Sequence, residues 1–414
     1  MSETIRCMAG IDVHKRMLAV VVRKEQDTKT EYAQRQFGTT RREIEHLAAY
    51  LRQEQVAEVV MESTAQYWRP VWYGLETHLK LHLCHPLLTR ARRGRKRDFL
   101  DAKRLVDRLW GGDIEESFVP SAEQRSWRWM TRMRVALKDK VGVVRNEVEG
   151  LLEEAGIKLT GVVSDPFGVS GWAMLNHLAQ GETDLEKIVS EARGTLRKKK
   201  TALQEAIAGP LPEACRFMLR QLIDQVALLR KQIADLSAAI TAAMKEHIPT
   251  LHRLSKVPGL NVEAAEIMLA EIGPGAATFP SGGQMASWAG ICPGSQESAG
   301  INYSRRSAKG NRYLRRLMAQ VAWAAVRTKG TFFEDLFRRL KPRIEPKGAM
   351  WAVAHRITNL VWLMLQKGVE YQERGPRPPN PAAVLRKMRR LTSYLAAAGL
   401  DPSTLIPQIL TPTT

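Results

Sequence analysis

Cysteine is scarce: Cys7, Cys84, Cys215 and Cys292 are the only four in 414 residues, and no two form a Cys-x-x-Cys pair. That excludes a disulfide framework and a zinc ligand set. Long apolar runs are missing as well, with nothing near the ~18 residues a spanning helix needs. The most apolar stretches, Met318 to Val326 and Ile357 to Leu365, are interrupted by polar residues and read as buried helices. The first seven residues, MSETIRC, hold no apolar signal core. A cytoplasmic location with no membrane partner is the expectation. Acids are the third shortage, 43 Asp and Glu against 63 Lys and Arg, which leaves a net charge of +20. Such an excess makes a polyanion the default partner.

What remains is ordinary for a folded chain: 44% hydrophobic and 26% charged residues, near globular averages, in a length that suits two or three domains. The positive charge is concentrated. Pro86 to Arg108 carries nine Lys or Arg and three Asp, and Ser298 to Thr331 carries eight Lys or Arg and no acid. The candidate nucleic-acid contacts are therefore Arg92, Arg93, Arg95, Lys96 and Arg97 in the first stripe, and Arg305, Arg306, Lys309, Arg312 and Arg315 in the second.

Strand and helix signals alternate over the first hundred residues. Met8 to Val22 is apolar and β-branched, broken at Asp12 to Arg16, and predicts two antiparallel strands around a tight turn. Tyr32 to Phe37 predicts a third strand, and Thr40 with Glu43 has capping-box spacing at the start of a helix to about Glu54. Val56 to Met61 reads as a buried strand, Gln66 to Lys80 as a helix, Leu81 to His85 as a strand and Lys96 to Trp110 as a helix. This order describes an α/β ribonuclease-H-like domain, expected over residues 1–155 with the long helix Ala122 to Glu154 at its end. Residues 156–250 read as a helical linker and coiled coil. Leu222, Val226, Leu229, Ile233, Leu236 and Ile240 follow at steps of 4, 3, 4, 3 and 4, a heptad seam that suits packing within the chain or dimerisation equally. A mainly α domain is expected over 251–370, opening on Val257-Pro258-Gly259-Leu260 in the shape of a helix-hairpin-helix turn, and a Pro-rich linker and tail over 371–414.

Asp12 interrupts an apolar strand where Val or Ile belongs, and Glu62 ends another after Val59-Val60-Met61. In a ribonuclease-H-like sheet those two strands are neighbours, so the acids can meet. Asp98 and Asp101 lie three apart and share a helix face. Taken singly, each acid serves as well as a turn residue, a cap or a solvated side chain. Converging, they would repel by ~4 kcal/mol per pair at ~4 Å and an effective dielectric of 20, which a hard cation resolves. Oxygen-only ligands select Mg²⁺, with Mn²⁺ as the alternative, for phosphodiester chemistry. Ser295 and Ser298 fall in a small-residue loop, Cys292 to Gly300, ahead of a cationic segment. A serine there could attack phosphorus, although an ordinary loop serine fits the residues better.

Taken together, Gly10-Ile-Asp12-Val, Met61-Glu62-Ser-Thr, Gly94-Arg-Lys-Arg-Asp98-Phe-Leu-Asp101-Ala, Val257-Pro-Gly-Leu, Ala289-Gly-Ile-Cys-Pro293, Glu297-Ser298-Ala-Gly and Lys309-Gly-Asn-Arg-Tyr-Leu-Arg315 resemble the transposases of the insertion-sequence one-ten family, related to Piv-type invertases. The resemblance implies a RuvC-like domain whose D-E-D-D metal set falls on Asp12, Glu62, Asp98 and Asp101, and a C-terminal domain whose nucleophile falls on Ser298, with Ser295 as fallback. Two departures are Arg97 where the family has Thr before the third acid, and Ser298-Ala299-Gly300 where it has Ser-Gly. It further implies a recombinase acting through a phosphoserine–DNA intermediate with Mg²⁺, on donor and target DNA. A structured non-coding guide RNA from the element and a homo-oligomer, a dimer or a tetramer on DNA, complete the expectation. The alternative is a hydrolytic RuvC-like junction nuclease that needs only the acids.

Overall fold

The computed structural model describes residues 6–26, 29–63, 65–84, 98–294, 296–298, 301–304, 307–378 and 381–399. The chain divides into two compact units, Met1–Ser121 and Ala122–Thr414.

The first unit is built on a five-stranded sheet. Its strands are β1 (Arg6–Val13), β2 (Met17–Gln26), β3 (Lys29–Gly38), β4 (Glu58–Glu62) and β5 (Lys80–Cys84), in the spatial order β3-β2-β1-β4-β5. β1 pairs antiparallel with β2 and parallel with β4, and β4 pairs parallel with β5. That is the ribonuclease-H-like order. β1 is central and buried from Cys7 to Val13, so it needs an unbroken apolar run rather than an alternating one. β3 forms an edge of the sheet and is exposed over most of its length, with Lys29, Glu31 and Arg35 along it, the charged rim that discourages edge-to-edge pairing.

Alternation along the strands assigns the two faces. Cys7, Ile11, Val13, Val59 and Met61 pack with α1 (Arg41–Gln53) and α2 (Trp68–Leu75). Met8, Val21, Val60 and Cys84 pack with Ala102, Leu105, Val106 and Leu109 of α3 (Asp98–Trp110). Thr40 caps α1 as predicted, accepting from Glu43 N–H, but Glu43 reaches back to Gly38 N–H at 3.1 Å and not to the cap itself. Helix α2 is shorter than the sequence suggests, because the chain must turn before β5 opens at Lys80.

The second unit is helical. Its first helix, α4 (Ala122–Glu154), packs against α6 (Glu213–Ala243) and α7 (Val262–Ile272). α5 (Val169–Gln180) also lies on α6. Val226 and Leu229 of the heptad seam are buried, and Leu222, Ile233 and Leu236 partly buried, in one cluster with Leu137, Val144 and Val148 of α4, while Ile240 is buried in a second cluster with Trp127 of the same helix. The seam is thus covered by the chain's own helix. Besides short helices such as Leu159–Val162, Leu185–Ser190, Lys200–Ile207 and Ile248–Ser255, the unit holds α8 (Gly282–Trp288), a two-stranded hairpin of β6 (Gln296–Ser298) and β7 (Ile301–Ser304), α9 (Arg312–Arg327), α10 (Phe332–Lys367) and α11 (Pro381–Ala397). Helix α10 breaks at Ile344 and Glu345, where Pro346 disfavours helical geometry in the residue before it.

Candidate active site

The site in the first unit begins with a glycine. A Cβ on Gly10 would overlap the carbonyl oxygen of Ala102 and lie 2.9 Å from the Val106 nitrogen. Hydrogen is all that fits, and α3 therefore lies directly on β1. This close approach sets the first turn of α3, with Asp98 and Asp101, beside the end of β1, where Asp12 points to the α3 face by alternation with Met8 and Gly10. Those two acids also complement the positive end of the helix dipole.

The structure brings Asp12 and Asp98 together on His14. Nε2 of His14 lies 3.1 Å from Asp12 Oδ2 and 3.3 Å from Asp98 Oδ1. One ligand atom from each of the three residues falls within 4.8 Å of the others, and such a group could hold a divalent cation. Asp12 is buried, and desolvation is the main cause holding its carboxyl above the usual range. His14 works against that rise, while Asp101 and Asp98 add to it by like-charge repulsion. Asp101 is thus close enough to act on Asp12, and it pairs with Arg104 one turn along the helix. Glu62 ends β4 one residue beyond the Ile11–Met61 pair and opposite Cys84 of β5. It shares the α3 face with Val60, and its charge helps burial push the Cys84 thiol up to about 11. His14 is the residue that sequence reading missed. The available signal was its spacing, since Asp12 and His14 are two apart, which on extended chain puts both on one side.

In the second unit, Ser298 is the last residue of β6, paired with Ile301 of β7. It therefore stands on a short hairpin and not in the loop the small residues suggest, because the Ile301–Ser304 segment supplies a partner strand. Ser295, Arg92, Arg93, Arg95, Lys96, Arg97, Arg305 and Arg306 lie outside the described residues. Of the remaining candidate contacts, Lys309 and Arg312 are exposed, and Arg312 lies over the Tyr313 ring. Arg315 turns inward, donating to Ala308 O at 2.8 Å and Ser307 Oγ at 2.7 Å above the Trp351 ring.

The frame under this segment rests on a second residue that sequence reading missed. Glu271 of α7 has a fully buried side chain, held by Arg132 at 2.7 and 2.8 Å, by Arg128 at 3.6 Å and by Asn311 Nδ2 at 2.7 Å. Asn311 in turn caps α9, accepting from the Tyr313 and Leu314 N–H groups. Acids at Glu266 and Glu271 within the otherwise apolar, buried run Ala264 to Ile272 were the readable sign.

A transposase model of the DEDD type named for IS110 matches residues 9–157. A second, described as "Transposase IS116/IS110/IS902 family", matches residues 251–337. Both halves point to one family.

The chain is an IS110-family transposase.

Among curated relatives, it is 26% identical over 288 residues to a "Probable family 20 transposase" of Pseudomonas aeruginosa, covering 68% of this chain and 75% of that one. It is 25% identical over 184 residues to an "Insertion element IS110 uncharacterized 43.6 kDa protein" of Streptomyces coelicolor, 44% of each chain. The transposase is a DNA-recombining enzyme, and among its described residues no helix is long and apolar enough to cross a membrane.

Proposed function

We propose that this transposase cuts and rejoins the DNA strands of a mobile element through a covalent Ser298–DNA intermediate, with Mg²⁺ or Mn²⁺ at Asp12, Glu62, Asp98 and Asp101. The observation that carries the reading is the convergence of Asp12 and Asp98 at the tip of β1, in a chain that matches a DEDD transposase model. The donor set fits a hard divalent ion, because two carboxylates and one imidazole lie within reach of one ion, and burial, with the nearby charges of Asp101 and Asp98, makes Asp12 hard to ionise on its own. When bound, such an ion polarises a phosphodiester and stabilises charge on the departing oxygen.

The serine supplies the transfer step. Its oxygen forms an ester to phosphorus and gives up its proton, while the bond from phosphorus to one deoxyribose oxygen breaks and that oxygen leaves as a hydroxyl. A hydroxyl on another strand reverses the step, so the bond energy is kept for rejoining. The basic stripes hold the backbone. Sequence selection falls to a structured guide RNA from the element, in keeping with a large positive surface and a division of labour in which base pairing reads sequence. Donor DNA, target DNA and a homo-oligomer complete the active assembly.

The decisive experiment is chemical. Wild-type protein with element DNA should give a protein–DNA band that survives denaturation, and Ser298→Ala should lose that band and recombination while keeping DNA and RNA binding. An adduct that persists in Ser298→Ala moves the role to Ser295. A wild type that cleaves DNA without ever forming the adduct is a hydrolytic nuclease instead.

A further inference from the structure

We propose that His14 is itself a ligand of the metal centre, which makes it a mixed nitrogen–oxygen site that takes Mn²⁺ in preference to Mg²⁺. The inference rests on the reading of Asp12 and Asp98 as metal acids.

What sets His14 apart is which of its ring nitrogens faces which acid. In the first unit two histidines stand between two carboxylates each, and they do so differently. His82, buried on β5, gives Nε2 to Glu58 at 2.6 Å and Nδ1 to Glu116 at 2.5 Å. Each nitrogen there has its own partner at hydrogen-bond length, the arrangement of an imidazole clamped for structural reasons. His14 presents the same nitrogen, Nε2, to both Asp12 and Asp98, at the longer distances of 3.1 and 3.3 Å. One N–H cannot point at two oxygens from separate elements with good geometry. One cation between a nitrogen lone pair and two carboxylate oxygens can satisfy all three.

The backbone keeps the imidazole there. β1 ends at Val13, and His14 N–H donates to Met17 O at 3.0 Å, closing the turn into β2. The side chain is 45% exposed, so an ion can reach it from solvent. Nothing about Asp12 requires an imidazole for its own sake, since its strand position is already set by pairing to Ala19 on β2.

The donor chemistry then sets the preference. Mg²⁺ demands near-octahedral oxygen ligation and gives up its waters reluctantly. An imidazole in its shell is a handicap. Mn²⁺ shares the taste for carboxylates yet stands at the start of the transition series, whose members accept nitrogen ligands.

The test uses full-length protein stripped with EDTA and titrated with Mn²⁺ or Mg²⁺, with no DNA and no turnover. Pulsed electron paramagnetic resonance of bound Mn²⁺ should show nitrogen modulation in the wild type that His14→Ala removes. His14→Ala should also weaken Mn²⁺ binding roughly ten-fold or more while changing Mg²⁺ binding by no more than about two-fold. His14→Asp, an oxygen donor at the same place, should swing the preference toward Mg²⁺. Mn²⁺ bound with no nitrogen modulation, or with modulation that survives His14→Ala, overturns the ligand role but leaves the acids in place provided Asp12→Asn abolishes binding. Mn²⁺ binding unaffected by Asp12→Asn, or absent from the wild type, overturns the acid reading as well.

Discussion

Glu271 and Asn311, forty residues apart, are joined by a 2.7 Å hydrogen bond from the asparagine amide to the buried carboxylate. Through it the charge cluster on α7 holds the cap of α9, and with it the start of the cationic helix.

Removing Glu271 should therefore be costly. Glu271→Ala leaves Arg128 and Arg132 half-buried without their carboxylate and Asn311 without an acceptor. Breaking a buried ion pair from one side destabilises by roughly 3–5 kcal/mol. Denaturant unfolding of the variant should show a loss of that size in the second unit, and a loss below about 1 kcal/mol, the level of an exposed pair, contradicts the role.

Gly10→Ala should act on the fold and on metal binding together. The added methyl meets backbone atoms of Ala102 and Val106, which cannot rotate away. Overpacking of this kind costs about 1–3 kcal/mol, and α3 must lift with Asp98 and Asp101 on it. A lower melting temperature with weakened Mn²⁺ binding is expected. Unchanged Mn²⁺ affinity would mean that α3 need not sit so close.

The raised pKa of Asp12 has a definite sign. The folded state holds the proton on this carboxyl more tightly than the unfolded chain, whose ordinary value is 3.8. Its penalty is absent below that value, grows as pH rises through the folded-state pKa, and is complete above it. In EDTA at pH 7, Asp12→Asn should melt above wild type, by about 2–4 °C for each kcal/mol regained. The gap should close as pH falls toward 4, and divalent cation should raise the wild type alone. A variant that melts below wild type at pH 7 refutes this balance.

Two arginine-stripe variants should part company. Lys309→Ala removes an exposed charge and should reduce the slope of log affinity against log salt by about one phosphate's worth, ~0.9 on duplex DNA. Arg315→Ala instead unpins Ser307 and Ala308. Its signature is a lower melting temperature, and a salt slope that changes as much as for Lys309→Ala would make it a phosphate contact instead.

Much of this was legible in the sequence because some residues sit where their type does not belong. An aspartate in the central strand announced itself at Asp12, and an acid closing an apolar run did so at Glu62. The heptad steps of α6 were equally readable, but period alone describes a stripe and not what covers it; the cover is α4, from another part of the chain. Gly10 was visible as a letter, yet its function lies in a helix carbonyl ninety residues away. Glu271 and His14 were passed over for a shared reason. Their meaning depends on partners supplied by tertiary packing, Arg132 and Asn311 for one, Asp98 for the other. Ser298 read as a loop residue because small residues carry no strand signal, and only its register with Ile301 reveals the hairpin.

Gly290 and Gly310 both have positive φ and lie back to back, so that a Cβ on the first would stand 2.7 Å from Ala308 O and one on the second 2.5 Å from the Ala289 carbonyl carbon. The two ends of the segment bearing the serine are therefore pinned at one point, like a loop of cord tied at its base. Ser298 is eight residues from that knot, and eight residues of fully extended chain span at most about 26–29 Å. On the proposed reading of Ser298 as nucleophile, the phosphate it attacks must enter a sphere of that radius around Gly290. Lengthening the cord on its near side, between Cys292 and Gln296, would widen the sphere without touching the knot.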